Sequence, residues 1–447
     1  MAPEQTPHPV ETYYRELADL LDAEREPDEQ FLMNLQGEES DFARFNHNQV
    51  RQAGHVRQLE VEIDLLSGQR HAAGRLNVSG DLRVDWAALN QLLHGLRETR
   101  DALGEDPYLH YNTEPCDSYK QRCGELPTPE QAIKDIAAAG EGQDLVGILA
   151  SGTVFRAFAN HLGQRNWHAA DSFNFDWSCF GDADQAVKAR YAGARWRAQE
   201  LRECMQQVIK LMALMQREPR AVKPGRYRVY LSPAALYELL SVLGTDGFDL
   251  KAHRCRTSPL LKLAHGEREL SPSVTLTENN QRGFAPDFTS EGFAKPEQVT
   301  LIENGAFVAS LNTARSASEY RETVNAGTAH PQNLELAAGQ LPQDQALNVL
   351  GTGIYIGNLW YCNYSDRMDC RITGLTRFAT FWVENGNIVA PVKVMRFDDS
   401  LYRILGENLI ALTRERELVM DAGSYHCRST ASARLPGAII DDLKLTL

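Results

Sequence analysis

Two phrases in this chain, "VTLIENGAFVASL" at 299–311 and "TFWVENGNIVAPV" at 380–392, each set Asn-Gly between two apolar runs. A two-residue turn that preserves the right-handed twist of its strands needs positive φ at both turn positions, which Asn and Gly tolerate and most side chains do not. The pattern predicts β-hairpins turning at Asn304-Gly305 and Asn385-Gly386. Little else matches between the phrases, which start about 81 residues apart, so they read as one local solution used twice rather than as a repeat array.

The N-terminal half mixes two periodicities. "PVETYYRELADLLDAE" at 9–24 places Tyr13, Leu17, Leu20 and Leu21 on one helical face. From 29 to 78 the pattern changes to period two, predicting three to five antiparallel strands with a turn at Ser67-Gly68. A helix over about 84–103 follows, carried by Trp86, Leu89, Leu92, Leu93 and Leu96, and 104–127 reads as a loop crossing. "TPEQAIKDIAAA" starts a helix with Thr128 as N-cap, Pro129 at the first helical position and Gln131 at the third. "LVGILASGTVFRAFAN" and "WHAADSFNFDWSCF" are strand-like, and a long helix is expected from about 184 to 217. "REPRAVKPGRY" then reads as a linker, with a boundary near 218–226. The expected fold class is α+β. An N-terminal domain of antiparallel strands and helices spans 1–220, and a β-rich domain with hairpins spans 226–447.

At 447 residues the chain exceeds what one hydrophobic core usually serves, which agrees with two domains. Sixty acidic against 46 basic residues give a net charge of -14, which opposes nucleic-acid binding by counterion release. No apolar run approaches the roughly 18–20 residues that cross a bilayer. The opening "MAPEQTPHPVETYY" has neither the basic nor the apolar part of a secretory signal, so the cytoplasm is the expected location. The eight cysteines form no CxxC pair and fit reduced thiols.

Several constellations hold residue types that could carry chemistry. None of the twelve His is followed by Glu, and no two lie three to five residues apart, so a helical zinc motif is missing. His253 and His265 flank Cys255 and Glu267, but in a basic segment that repels a cation. "GTGIYIG" at 351–357 lacks the following helix of a dinucleotide site and reads as a tightly packed strand. Ser151 lies in no Gly-x-Ser-x-Gly elbow. "DRMDC" gathers Asp366, Asp369 and Cys370 in an expected loop, as solvated charges or as a substrate contact.

From "VYLSPAALYELL" at 229–240 onward, the order of pieces resembles the TldD/PmbA family, whose PmbA branch is also called TldE. "TSPLLKLAHGERELSPSVTLTENN", "FTSEGFAKPEQVTLIENGAFVASLNTARSA", "TGLTRFATFWVENGNIVAPVKVMRFDDSLYRIL" and "PGAIIDDLKLTL" carry the likeness. "DFARFNHNQVRQAG" and "DLVGILASGTVFRAFANHLGQRN" extend it through the N-terminal half. In the TldD branch the first phrase runs into a His-Glu-x-x-x-His helix that binds zinc, and those positions fall here on Ser241, Val242 and Asp246. A further Cys ligand of that branch is comparable in region to Cys427, at a shorter distance from Pro436. The resemblance implies a PmbA/TldE-like subunit with no metal, no cofactor and no catalytic residue of its own. Its expected partners are a zinc-bearing TldD-like subunit and a small or unfolded peptide, with a homodimer possible when alone. Two alternatives remain: a peptide-binding scaffold without a peptidase partner, and a self-sufficient hydrolase using Asp366, Asp369 or a thiol.

Overall fold

The computed structural model describes residues 8–181 and 185–446. The first sheet is built from β1 (Gln30–Asn46), β2 (Gln49–Ser67), β3 (Arg70–Val78), β4 (Ser118–Arg122), β5 (Asp144–Asn160), β6 (Arg165–Phe180) and β7 (Ala186–Gly193). Its order is β3-β2-β1-β5-β6-β4. Along one edge of β6, β4 runs parallel from Asn166 to Ala170, and β7 runs antiparallel from Phe173 to Phe180.

Side chains alternate between the faces of a strand, and here odd-numbered positions face helices. Met33, Leu35, Val61, Ile63, Phe155 and Trp167 pack against Tyr13, Tyr14, Leu17 and Leu21 of α1 (Pro9–Ala23) and Leu89, Leu93 and Leu96 of α2 (Leu82–Ala102). Farther along the sheet, Phe45, Leu149, Phe175 and Trp177 meet α3 (Pro129–Ala139) and α4 (Ala198–Met215) through Ile136, Leu201, Met205 and Met212. Leu17 and Leu201 are fully buried, which stabilises this layer by about 1.5–3 kcal/mol each. Leu20, expected on the apolar face of α1, is instead 37% exposed. The Thr128 hydroxyl accepts from Gln131 N at 3.2 Å, as its capping role requires.

Residues 29–78 hold three long antiparallel strands, as expected, and the His47-Asn48 turn lets β1 and β2 pair over nearly their full length. Two expectations change. The 104–127 crossing contains β4. The helix expected from about 184 begins only at Ala198. "AVKARYAG" is β7, since its alternation pairs with β6 from Ala186 to Gly193, a gain that its Ala-rich composition hides. Residues 182–184 lie outside the described set.

The second sheet starts at β8 (Gly225–Leu231), which sits between the antiparallel strand Ser432–Leu445 and the parallel strand Gly353–Ile356. α5 (Pro233–Gly247) follows directly. Ser232 caps it by accepting from Ala235 N at 3.1 Å while donating to Gly357 O at 2.7 Å, and Pro233 pre-sets the first turn. Leu236, Leu239, Leu240 and Leu243 enter a core with Val229, Leu231, Ile354, Phe397 and Leu412. Both Asn-Gly turns form as expected, with φ of 48° and 85° at Asn304-Gly305 and 48° and 77° at Asn385-Gly386. The fold is α+β.

The even-numbered face of the first sheet is polar along most of β6 and mixed along β5, and the second half of the chain docks on it. His168 donates through Nε2 to Phe284 O at 2.9 Å, and Phe284, Met420 and Ala170 form a small apolar contact. Buried Arg428 reaches Ser40 Oγ, Gly152 O and both the carbonyl and the hydroxyl of Ser172 at 2.9–3.3 Å.

Candidate functional site

α5 faces a cleft of about 350 Å³, with Tyr237, Ser241, Gly244 and Thr245 on its side and His330, Pro331 and Ala431 among the opposing residues. Tyr237 and Ser241 are one turn apart, and Gly244 and Thr245 fall one turn further, so helical spacing aligns them. Ser241 is exposed, and Val242 is half-buried against the core. Asp246 lies past the regular helix at φ 62°, where its carboxylate forms an ion pair with Arg367. The Tyr364 hydroxyl donates to Val242 O at 2.9 Å and fastens this end of the helix.

The donor chemistry here does not fit the ion that the resemblance associates with these positions. A hydroxyl, an alkyl group and a carboxylate already engaged by a guanidinium fall short of the three protein ligands plus water of a catalytic zinc. Among the described residues no group of three or more His, Cys, Asp or Glu is arranged to hold a metal ion.

The other sequence candidates are dispersed. Asp366 Oδ1 accepts from the Met368 and Asp369 amides at 3.0 and 3.2 Å, which fixes the turn, and Lys262 pairs with Asp369 and holds its carboxyl below the usual range. Cys370 is fully buried, and burial pushes its thiol up to about 12, which removes the thiolate a nucleophile needs. Cys427 lies elsewhere, its Sγ 3.9 Å from Arg156 Nη1. Burial raises its pKa, and Arg156 partly opposes that shift. His253 is a packed histidine: Nε2 is 2.8 Å from Gly247 O, the ring lies 4.7 Å from that of Phe307, and burial lowers its pKa. His265, Glu267 and Cys255 are exposed, and Ser151 is buried in β5. "GTGIYIG" supplies the strand Gly353–Ile356, where a Cβ on Gly353 would sit 2.3 Å from Arg228 O.

Sequence reasoning missed a charged cluster between the sheets. On the polar face of β6 and β7, Asp176 stands 3.5 Å from Lys188 Nζ and 3.9 Å from Arg190 Nη2, and the Arg190 guanidinium lies 5.6 Å from the centre of the Tyr237 ring. Burial pushes the pKa values of Glu238 on α5 and Glu417 on the strand Leu409–Met420 upward, and Arg190 opposes both shifts. Glu417 keeps contact with solvent although protein crowds it, as expected in a concave cleft. In sequence, Asp176 resembles any solvated strand residue and Lys188 and Arg190 fall in the helix expected from about 184, and only the pairing of β7 with β6 and the docking of α5 bring them together.

A sheet backed by helices on one face and by a second sheet carrying a capped helix on the other, meeting at a cleft, defines a two-sheet α+β class of protein. The model of the PmbA/TldA metallopeptidase C-terminal domain matches residues 224–447, half of the chain, and the chain belongs to this TldD/PmbA family. The fold is similar to that of TldE from Thermococcus kodakarensis, at 13% identity and a TM-score of 0.79 over 97% of this chain and 100% of that one. It is also similar to two proteins named as modulators of DNA gyrase. The one from Thermotoga maritima has 13% identity and a TM-score of 0.73 over 97% and 99% of the two chains. The one from Bacteroides thetaiotaomicron has 15% identity and a TM-score of 0.73 over 98% of each. No curated protein matches the sequence. No helix among the described residues is long and apolar enough to cross a membrane.

Proposed function

We propose that this chain is a zinc-free, TldE-like subunit of a TldD/TldE-type metallopeptidase that acts on small or unfolded peptides in the cytoplasm. The supporting observation is α5 itself. The helix is capped, regular as far as Gly244 and set at the cleft, yet it carries Ser241 and Val242, with an engaged Asp246 just past its regular part, where a metal site would need imidazoles and a general base. The fold then supplies a wall and a peptide-contacting face, and the partner supplies the reactive ion. The division into domains at 1–220 and 226–447 belongs to the same reading.

Reconstitution tests it. The purified chain is incubated with an unstructured peptide, alone and with a zinc-bearing TldD-type subunit, and products are resolved by mass. Cleavage is expected only in the mixture, and only without chelator. Chelator-resistant cleavage by the chain alone contradicts the proposal and favours a self-sufficient hydrolase, and peptide binding with no cleavage in the mixture favours a scaffold.

A further inference from the structure

A second cavity, of about 510 Å³, opens on the even-numbered face of the first sheet beyond the α5 cleft, roofed by residues 420–429. Its floor is apolar: Phe42 and Ala150 flank Val146 and Ile148, which are 37% and 44% exposed on the face of β5. Four cations surround that floor, namely Arg44, Arg51, Lys188 and Arg428. Arg51 arrives there through a β-bulge. Phe45 pairs with Val50 and Arg44 with Gln52, so Arg51 is the extra residue, and such a bulge re-aims a side chain.

The cations are under-compensated. Of the two acids in the lining, Asp176 faces Lys188 at 3.5 Å and Asp421 accepts from Gly423 N at 2.9 Å. Arg428 hydrogen-bonds only neutral oxygens and has the buried Glu38 carboxylate nearby, whereas among the described residues Arg44 and Arg51 form no ion pair. Two unpaired guanidiniums beside exposed aliphatic side chains, in a chain of net charge -14, call for a ligand that is anionic at one point and apolar next to it. A ligand with several acids would meet Asp176 and Asp421. A single carboxylate beside an apolar side chain is what the end of a peptide presents.

We propose that this cavity captures the C-terminal end of an extended peptide, with its carboxylate between Arg44 and Arg51 and its last, apolar side chain on Val146 and Ile148. The inference rests on the peptide-handling reading above and adds where, and by which end, the peptide is held.

The test is binding to the full chain without any partner, so its outcome is independent of cleavage. An N-terminally fluorescein-labelled hexapeptide ending in leucine is titrated by polarisation, beside its C-terminal amide and an amide carrying one internal glutamate. The free acid is expected to bind at least tenfold more tightly than either amide. Arg44→Gln or Arg51→Gln should weaken it roughly threefold to fivefold, and the double variant about tenfold or more, since both guanidiniums are exposed. Ile148→Asp, which places a carboxylate on the floor, should abolish binding. Equal binding of acid and amide, equal binding of the internal-glutamate peptide, unchanged affinity in the double variant, or no binding of any peptide overturns the inference. Binding as expected without cleavage in the reconstituted mixture would leave this site standing and remove the subunit proposal.

Discussion

The twin Asn-Gly turns share a phrase but not an environment, so the same substitution should cost different amounts. Gly305→Ala and Gly386→Ala both force a Cβ onto left-handed backbone, at φ 85° and 77°, which costs about 1–2 kcal/mol at either site. At Gly386 the nearest atom to the new Cβ is the Asn348 side-chain oxygen at 2.7 Å, and the next is 3.3 Å away, so that amide can swing aside. At Gly305 the Cβ would lie 2.3 Å from Leu270 O and 2.9 Å from Ser271 O. These are backbone atoms tied to the hairpin, because Leu270 N donates to Gly305 O at 3.0 Å and Gly305 N to Val274 O at 2.9 Å. Overpacking against immobile atoms adds about 1–3 kcal/mol. The expected totals are about 1–2 kcal/mol for Gly386→Ala and about 2–5 kcal/mol for Gly305→Ala, read from urea unfolding midpoints at constant m. Equal losses, or a larger loss at Gly386, would refute the argument that the docked loop distinguishes the two turns.

Three further outcomes follow from side chains that sequence alone leaves ambiguous. Arg428→Met removes its hydrogen bonds to the Gly152 and Ser172 carbonyls and to the Ser40 and Ser172 hydroxyls, at roughly 0.5–1.5 kcal/mol each, partly offset by removing a cation that burial disfavours. Stability should fall by about 2–4 kcal/mol, and limited proteolysis near exposed Tyr425 should accelerate. Native-state alkylation followed by mass mapping should label exposed Cys116, Cys123 and Cys255 and spare buried Cys179 and Cys370. Glu238 has a folded-state pKa raised by burial, so its contribution is fully present below the ordinary carboxylate value of 4.5 and is lost as pH rises through the folded value. Glu238→Gln should therefore raise Tm at pH 7 to 8 and leave it unchanged below about pH 4.

Much of the fold was legible wherever a local rule suffices. Positive φ at Asn-Gly located the hairpins, and the Thr128 cap marked a helix start. Period two in β1, β2, β5 and β6 was readable from short odd-numbered apolar runs, Phe31-Met33-Leu35, Leu59-Val61-Ile63-Leu65, Phe155-Ala157-Ala159 and Phe173-Phe175-Trp177, although polar odd positions interrupt them elsewhere. β7 was not, since Ala-rich "AVKARYAG" satisfies helical and extended patterns alike, and pairing with β6 decides between them. The polar even face read as a solvent face because Ser40, Arg156, His168 and Ser172 resemble one, and its cover comes from residues more than a hundred positions away. The Arg428 contacts span 256 to 388 residues. For the site, the resemblance to the TldD/PmbA family pointed to α5 and to the departures at Ser241, Val242 and Asp246, but Arg190, Glu238 and Glu417 meet only after the sheets dock.

The most direct test of the central claim is the zinc content of the purified chain, measured by plasma mass spectrometry after dialysis against a micromolar excess of zinc and then against metal-free buffer. The account predicts far less than one zinc per chain, unchanged by Ser241→Ala or Asp246→Asn. One zinc per chain that is retained through dialysis and lost in either variant would contradict it.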